Sequence, residues 1–311
     1  MDMLATLENS FVYLLVLAGG YILKKLYVVQ KEDTRFLSSL IMNVTLPAAI
    51  LKGSANAELS GFLLIIFLLA ILLNFLLLAG GFFASWGLPG RDRGLMILNS
   101  NTFNNGNFAI PFLSAYVSGD VFAAMGVYDA GSALCTFGPN IVLAHKVMEQ
   151  NGKKIALSDI LKKLFTTPTI LAYLLMLLMS AVHWQFPSVV AGVISMAGSA
   201  NSFLAMLCVG MLFDLRLPKS GYGLILKTLV MRYSICFAFA ALLWLFLPAP
   251  PETVWTIVIM TLAPIANCAT VITVEEGCDG TMSAVINSFS MVFSIVVMVL
   301  LLLFLPLPVR G

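Results

Sequence analysis

The sequence predicts an all-α integral membrane protein with ten transmembrane helices, arranged as two inverted five-helix repeats. Three observations carry this expectation: an apolar composition, ten long hydrophobic segments, and helix breakers at matching places in the two halves. Of the 311 residues, 60% are hydrophobic and only 10% are charged, whereas a soluble domain carries about 25% charged residues. The composition excludes an ordinary soluble domain, a disordered chain and a nucleic-acid binder. A spanning helix needs about 20 mostly apolar residues, so ten would use roughly 200 and leave no room for a sizeable soluble domain. Binding chemistry must then lie within the membrane part.

The hydrophobic segments run over about 9–27, 34–52, 60–86, 94–117 and 121–144, then about 166–184, 187–213, 221–247, 252–274 and 280–305. The first is not read as a cleavable signal peptide, because Asp2 and Glu8 stand where such a signal would carry basic residues, and Lys24 and Lys25 follow it. Loop charge sets the orientation. Loops after odd-numbered spans, with the adjoining helix ends, hold Lys24, Lys25, Lys31, Arg35, Arg91, Arg93, Lys146, Lys153, Lys154, Lys162, Lys163, Arg216 and Lys219, which is 13 of the 17 basic residues. The positive-inside rule places both termini outside the cytoplasmic membrane. The acidic loop with Glu275, Glu276 and Asp279 does not fit that bias, but acidic residues weigh little in topology. Glu275 and Glu276 are expected at a solvated helix end.

The polar stretch at 145–165 is read as a cytoplasmic linker between a first repeat, 1–144, and a second, 166–311. Five spans per half make the second half enter the membrane from the opposite side, a common build for secondary transporters.

Span four reads Asn99-Ser-Asn-Thr-Phe-Asn-Asn-Gly-Asn-Phe-Ala-Ile-Pro111. Lipid offers an amide no hydrogen-bond partner, so these asparagines cannot face it cheaply. At helical spacing Asn101, Asn104 and Asn105 share one face. Pro111 lacks an N–H and crowds the carbonyl of Asn107, so the helix is expected to open around Gly106–Pro111. Span nine matches, with Thr261-Leu-Ala-Pro264-Ile-Ala-Asn267-Cys-Ala-Thr270. In span two, Pro47 stands four residues after Asn43. Interrupted segments at corresponding positions point to a transporter site, where half-helix N-termini suit an anion and freed carbonyls suit a cation.

Two charges fall inside spans, Asp129 in the fifth and Arg232 in the eighth. Each costs roughly 2.5–3.5 kcal/mol at the bilayer centre on insertion scales. They either pair or snorkel, or else serve function, Arg232 as counter-charge to an anionic substrate and Asp129 as a carrier of a proton or sodium. The five cysteines form no C-x-x-C and read as small buried hydrophobes. His145 and His183 lie near opposite ends of different segments and are not a metal pair. No G-x-S-x-G is present, so an intramembrane enzyme is not expected.

Several stretches resemble the auxin efflux carrier family. Asn43 to Leu51 looks like its second helix. Asn104-Asn-Gly-Asn-Phe-Ala-Ile-Pro111 resembles its fourth-helix motif, usually Asn-Thr-Gly-Phe-Leu-Gly-Ile-Pro. Leu204 to Leu212 resembles its seventh helix, and Ala263-Pro264 with Glu275 its ninth. The family includes the plant PIN auxin exporters and bacterial permeases for small carboxylates such as malonate or malate. The resemblance implies crossed, broken helices four and nine, as in bile acid:sodium symporters. It also implies a scaffold of helices 1, 2, 6 and 7, often a homodimer surface, and a mobile core of helices 3–5 and 8–10 that moves as an elevator. Asn104 takes the place of the crossover asparagine that contacts a carboxylate, and Pro111 and Pro264 those of crossover prolines. Ala269 stands where plant members have a second proline, and the long plant loop is reduced to 145–165.

Together these readings give a secondary transporter of a small organic anion, with no enzymatic activity and no cofactor beyond a coupling ion. Substrate binding is expected from Asn43, Asn101, Asn104, Asn105 and Arg232. The hinge is expected at Pro47, Gly106, Pro111 and Pro264, and ion coupling at Asn107, Asp129, Asn267 and Thr270. The neutral oxygens suit sodium, whereas Asp129 suits a proton. An uncoupled anion channel or facilitator, and a sensor that keeps a transporter fold, are the alternatives.

Overall fold

The structure, a computed structural model, describes residues 3–53, 61–113, 116–117, 120–148, 168–182, 184–212 and 221–304. It is helical throughout, with no strand among the described residues. Most of the expected 145–165 linker lies outside them.

The first half runs through α1 (Met3–Lys25), α2 (Lys31–Leu40), α3 (Leu46–Gly53), α4 (Gly61–Ala84), α5 (Gly90–Ser100), α6 (Ile110–Leu113), α7 (Asp120–Phe137) and α8 (Pro139–Val147). The second runs through α9 (Pro168–Ala181), α10 (Ser188–Leu212), α11 (Tyr222–Phe246), α12 (Pro251–Met260), α13 (Asn267–Glu275) and α14 (Gly280–Phe304). Among the described residues, six helical stretches are long and apolar enough to cross a membrane: Asp33–Lys52, Gly61–Ala84, Val121–Val147, Ser188–Leu212, Tyr222–Phe246 and Gly280–Leu302. The other four segments expected from sequence correspond to α1, the α5–α6 pair, α9 and the α12–α13 pair.

The distribution of side chains is that of a protein bathed in hydrocarbon. Leu64, Leu68, Leu72 and Phe75 lie exposed along α4, while Asn74 on the same helix is fully buried. Val189 and Met196 of α10 are 79% and 78% exposed. Asn99, Asn101, Arg232, Thr256, Ser283 and Ser290 are fully buried. A soluble protein cannot leave so much large apolar surface in water; in lipid the same surface costs nothing and the polar groups must turn inward. The chain is an integral membrane protein.

The helices meet Pro47, Pro111 and Pro139 in two ways. The helix through Pro47 is not interrupted. A π-helical turn, Ile41–Thr45, precedes it, and the N–H of Leu46 reaches back to the carbonyl of Ile41. The same device precedes Pro111: a π turn over Asn105–Ala109, with the N–H of Ile110 on the carbonyl of Asn105. The wider turn moves the i−4 carbonyl away from the proline ring, so the clash that breaks an α-helix does not arise. The expected opening at Gly106–Pro111 is therefore displaced. α5 stops at Ser100, an irregular stretch runs from Asn101 through Thr102 and Phe103 to Asn104, and Pro111 sits inside α6. At Gly138-Pro139, by contrast, the chain bends outright between α7 and α8, with Pro139 opening the new helix.

α1 packs along α10, and α3 packs against α9 and α10. α4 lies on α7 and α11, while α5 contacts α8, α11 and α13. α12 contacts α7 and α11, and α13 packs on α14. At the far end of α13, Glu276 is half-buried and pairs with His145 of α8. Glu275 alone is the exposed helix end expected for both.

The α1–α10 crossing is a contact of backbones. A Cβ on Gly210 would lie 1.9 Å from the carbonyl oxygen of Leu17, and one on Gly20 would lie 2.2 Å from that of Leu207. Small residues at such crossings let membrane helices approach closely. A Cβ on the neighbouring Gly19 would meet nothing within 4 Å. Gly210→Ala should lower the melting temperature in detergent, at a cost of about 1–3 kcal/mol for overpacking, whereas Gly19→Ala should leave it unchanged. Equal melting of the two variants would contradict the crossing.

Candidate functional site

Two irregular stretches meet in the interior. One is Asn101–Asn104, between α5 and α6, and the other is Thr261–Ala266, between α12 and α13. Pro264 lies at the centre of the second, where the sequence places a break. The two are joined through backbone: the N–H of Asn104 donates to the carbonyl of Pro264 at 2.8 Å.

Each break leaves backbone groups without their helical partners, and no water reaches them in the bilayer core. Neighbouring side chains fill the gap. α14 presents Ser283, Asn287, Ser290 and Ser294 along one face. Ser294 donates to the carbonyl of Leu262 at 2.7 Å, and the N–H of Ile265 donates to Ser290 Oγ at 2.7 Å. Asn287 donates to the carbonyl of Ala266 at 3.1 Å and to Asn267 Oδ1 at 3.2 Å. Ser283 bonds Asn99 Oδ1 at 2.7 Å and Thr270 Oγ1 at 3.2 Å. Tyr233 of α11 braces the row, with its hydroxyl 3.0 Å from Ser290 Oγ and 2.7 Å from Ser294 Oγ. Rungs spaced four, three and four residues apart follow the turns of one helix face. The sequence carries that signal within an otherwise apolar span, and a reading of breaks alone passes over it.

Arg232 is fully buried. Its guanidinium donates to the carbonyl of Ser100, at the end of α5, and to that of Ala263 at 3.2 Å, just past α12. The carbon of the fork lies 4.2 Å from the centre of the Phe103 ring. Arg232 therefore faces both breaks at once. Asp129 is elsewhere, half-buried on α7 beside Asn105, and its Oδ2 would be 3.7 Å from a Cβ placed on Gly106. Among the described residues Asp129 forms no ion pair.

The asparagines gather here too. Asn101, Thr102 and Asn105 are fully buried and Asn104 is 3% exposed. Both amide atoms of Asn101, the hydroxyl of Thr102 and the amide nitrogen of Asn104 have no hydrogen-bond partner among the described residues. The amide oxygen of Asn107 and the hydroxyl of Tyr128 are in the same condition. Native proteins pair nearly all buried polar atoms, so the concentration on this stretch makes it the candidate site.

Not every residue singled out from sequence takes part. Asn43 is exposed and spends its amide on the carbonyl and hydroxyl of Ser39. Pro47 lies on α3, while Thr45 near it bonds Asn201 of α10 at 2.9 Å. Asn267 and Thr270 are drawn into the α14 row. Thr102 and Tyr128 give no signal in the sequence, because a lone threonine or tyrosine in an apolar span carries no pattern.

No family model matches the chain. Over 228 residues, 70% of this chain and 70% of the relative, it is 27% identical to a protein of Methanothermobacter thermautotrophicus named an uncharacterized transporter.

If the α14 row holds the break in place, Ser290→Ala should strand the Ile265 N–H and lower stability by about 1–3 kcal/mol. Ser288→Ala, whose hydroxyl bonds only the carbonyl of Ala284 in its own helix, should be nearly silent. Comparing the melting temperatures of the two variants checks this.

Proposed function

We propose that this protein is a secondary active transporter that moves a small organic anion, a carboxylate, across the cytoplasmic membrane. The observation that carries the proposal is the cluster of buried, unpartnered polar groups at Asn101, Thr102 and Asn104, set where two interrupted helices meet. Such a cluster inside a membrane suits a polar solute that must leave water to cross. The relative named a transporter supports the class, and the motif resembling that of the auxin efflux carrier family supports the choice of a carboxylate.

In this reading ten spans form two inverted repeats. The α1–α10 and α3–α9–α10 packing suits a scaffold of spans 1, 2, 6 and 7, with a homodimer surface on its outer side. The remaining spans form a core that carries the crossing from one side to the other as an elevator. Asn101, Asn104 and Asn105 bind the carboxylate through amide N–H groups, which avoid burying a second full charge. Gly106, Pro111 and Pro264 shape the crossing. The coupling ion, sodium or proton, is assigned to Asn107, Asp129, Asn267 and Thr270.

A thermal-shift screen of purified protein against mono- and dicarboxylates, with and without sodium, identifies the ligand, since binding raises stability by RT ln(1 + [L]/Kd). With that ligand, Asn104→Ala should lose a hydrogen bond to a charged group. The cost of roughly 1.5–3 kcal/mol corresponds to about a 10- to 150-fold loss of affinity, with the melting temperature of the free protein unchanged. Wild-type affinity with a depressed melting temperature would sink the assignment and leave Asn104 as helix glue.

The orientation is tested separately. In a cysteine-free background, a membrane-impermeant maleimide added from outside should label Gln185→Cys, between α9 and α10, and spare Tyr27→Cys, between α1 and α2. The opposite pattern overturns the assignment of both termini to the outside.

A further inference from the structure

We infer that Arg232 is a tethered cation occupying a monovalent-cation site that the two broken helices build between them. The site is made of backbone. α5 and α12 both end in the interior, and each helix C-terminus carries a partial negative charge on its last carbonyls. The carbonyls of Ser100 and Ala263 converge from the two sides on one guanidinium. The ring of Phe103 closes a third side, its face toward the fork. A pair of carbonyls, one at the C-terminus of α5 and one three residues beyond α12, backed by an aromatic face and sealed from solvent, is a receptor for a cation. Two further observations describe the setting of the group. No carboxylate pairs with Arg232 among the described residues. Its Nε has no partner among them either, so the side chain is placed for the two carbonyls rather than for the fullest use of its donors.

The consequence concerns the driving ion. An inorganic cation has no access to these two carbonyls while the guanidinium fills them, so the crossing is neutralised without a bound metal ion. Any coupling ion must then be sought away from these two carbonyls, as at Asp129 beside Gly106. This inference does not depend on the identity of the substrate, and its test uses none. A failure of the carboxylate assignment therefore leaves it standing, and the converse also holds.

The test is chemical rescue. Arg232→Ala in the full-length purified protein removes the guanidinium and leaves the two carbonyls facing a space of its size. Its melting temperature should fall. Millimolar guanidinium chloride should then raise it by a few degrees relative to choline chloride at equal ionic strength, while the wild-type protein gains nothing. Guanidinium that lowers the melting temperature of Arg232→Ala as it does the wild type would overturn the inference, as would an alanine variant as stable as the wild type. Should the alanine variant not be recovered folded, Arg232→Lys and Arg232→Gln carry the test. Lysine keeps the charge with a single point of attachment, and glutamine keeps a donor without charge. The lysine variant should melt higher; the reverse order would reduce Arg232 to a hydrogen-bonding filler and refute the cation site.

Discussion

The structure depends on one constraint: inside a bilayer, a backbone group that leaves its helix must find a partner in the protein. Two helices are interrupted in the interior, and nearly every buried polar residue around them answers to that interruption. The serine and asparagine rungs of α14 take the freed groups between Leu262 and Ala266. Arg232 takes the ends of α5 and α12. The Asn104 N–H and the Pro264 carbonyl satisfy each other. What is left over includes Asn101, Thr102 and Asn104 on one irregular stretch, besides single atoms on Asn107, Tyr128, Arg232 and Asn287.

The proline positions show a second way of meeting the same constraint. At Pro47 and Pro111 the helix stays continuous and widens into a π turn before the ring. At Pro264 no such turn forms and the chain opens. A break and a bulge thus look alike in sequence, since both announce themselves by a proline in an apolar run.

That likeness explains how much can be read in advance. Composition alone points to a membrane protein, and the chain is irregular around Pro264. The asparagine run locates the unpartnered cluster, although the cluster forms on an irregular stretch rather than on the helical face that the spacing suggests. The opening lies several residues before Pro111, because the π turn absorbs the proline. The partners of Arg232 are not legible, because they are carbonyls, and every residue has one. Asn43 reads like its counterparts in span four, yet it bonds its own helix at Ser39 and faces outward, a difference of tertiary position that no local pattern records. The short helices α5, α12 and α13 are why the segments about 94–117 and 252–274 hold no single helix long enough to cross a membrane among the described residues.

The bond between Asn104 and Pro264 has an evolutionary consequence. It joins main chain to main chain, and a side-chain replacement at position 104 removes neither of its atoms. The frame that brings the two interrupted helices together is thus insulated from changes in the amides it displays. A lineage could exchange Asn101, Thr102 or Asn104 for other polar residues while inheriting the same junction intact. Displayed side chain and supporting backbone are written in different parts of the same residues, which leaves one of them free to diversify.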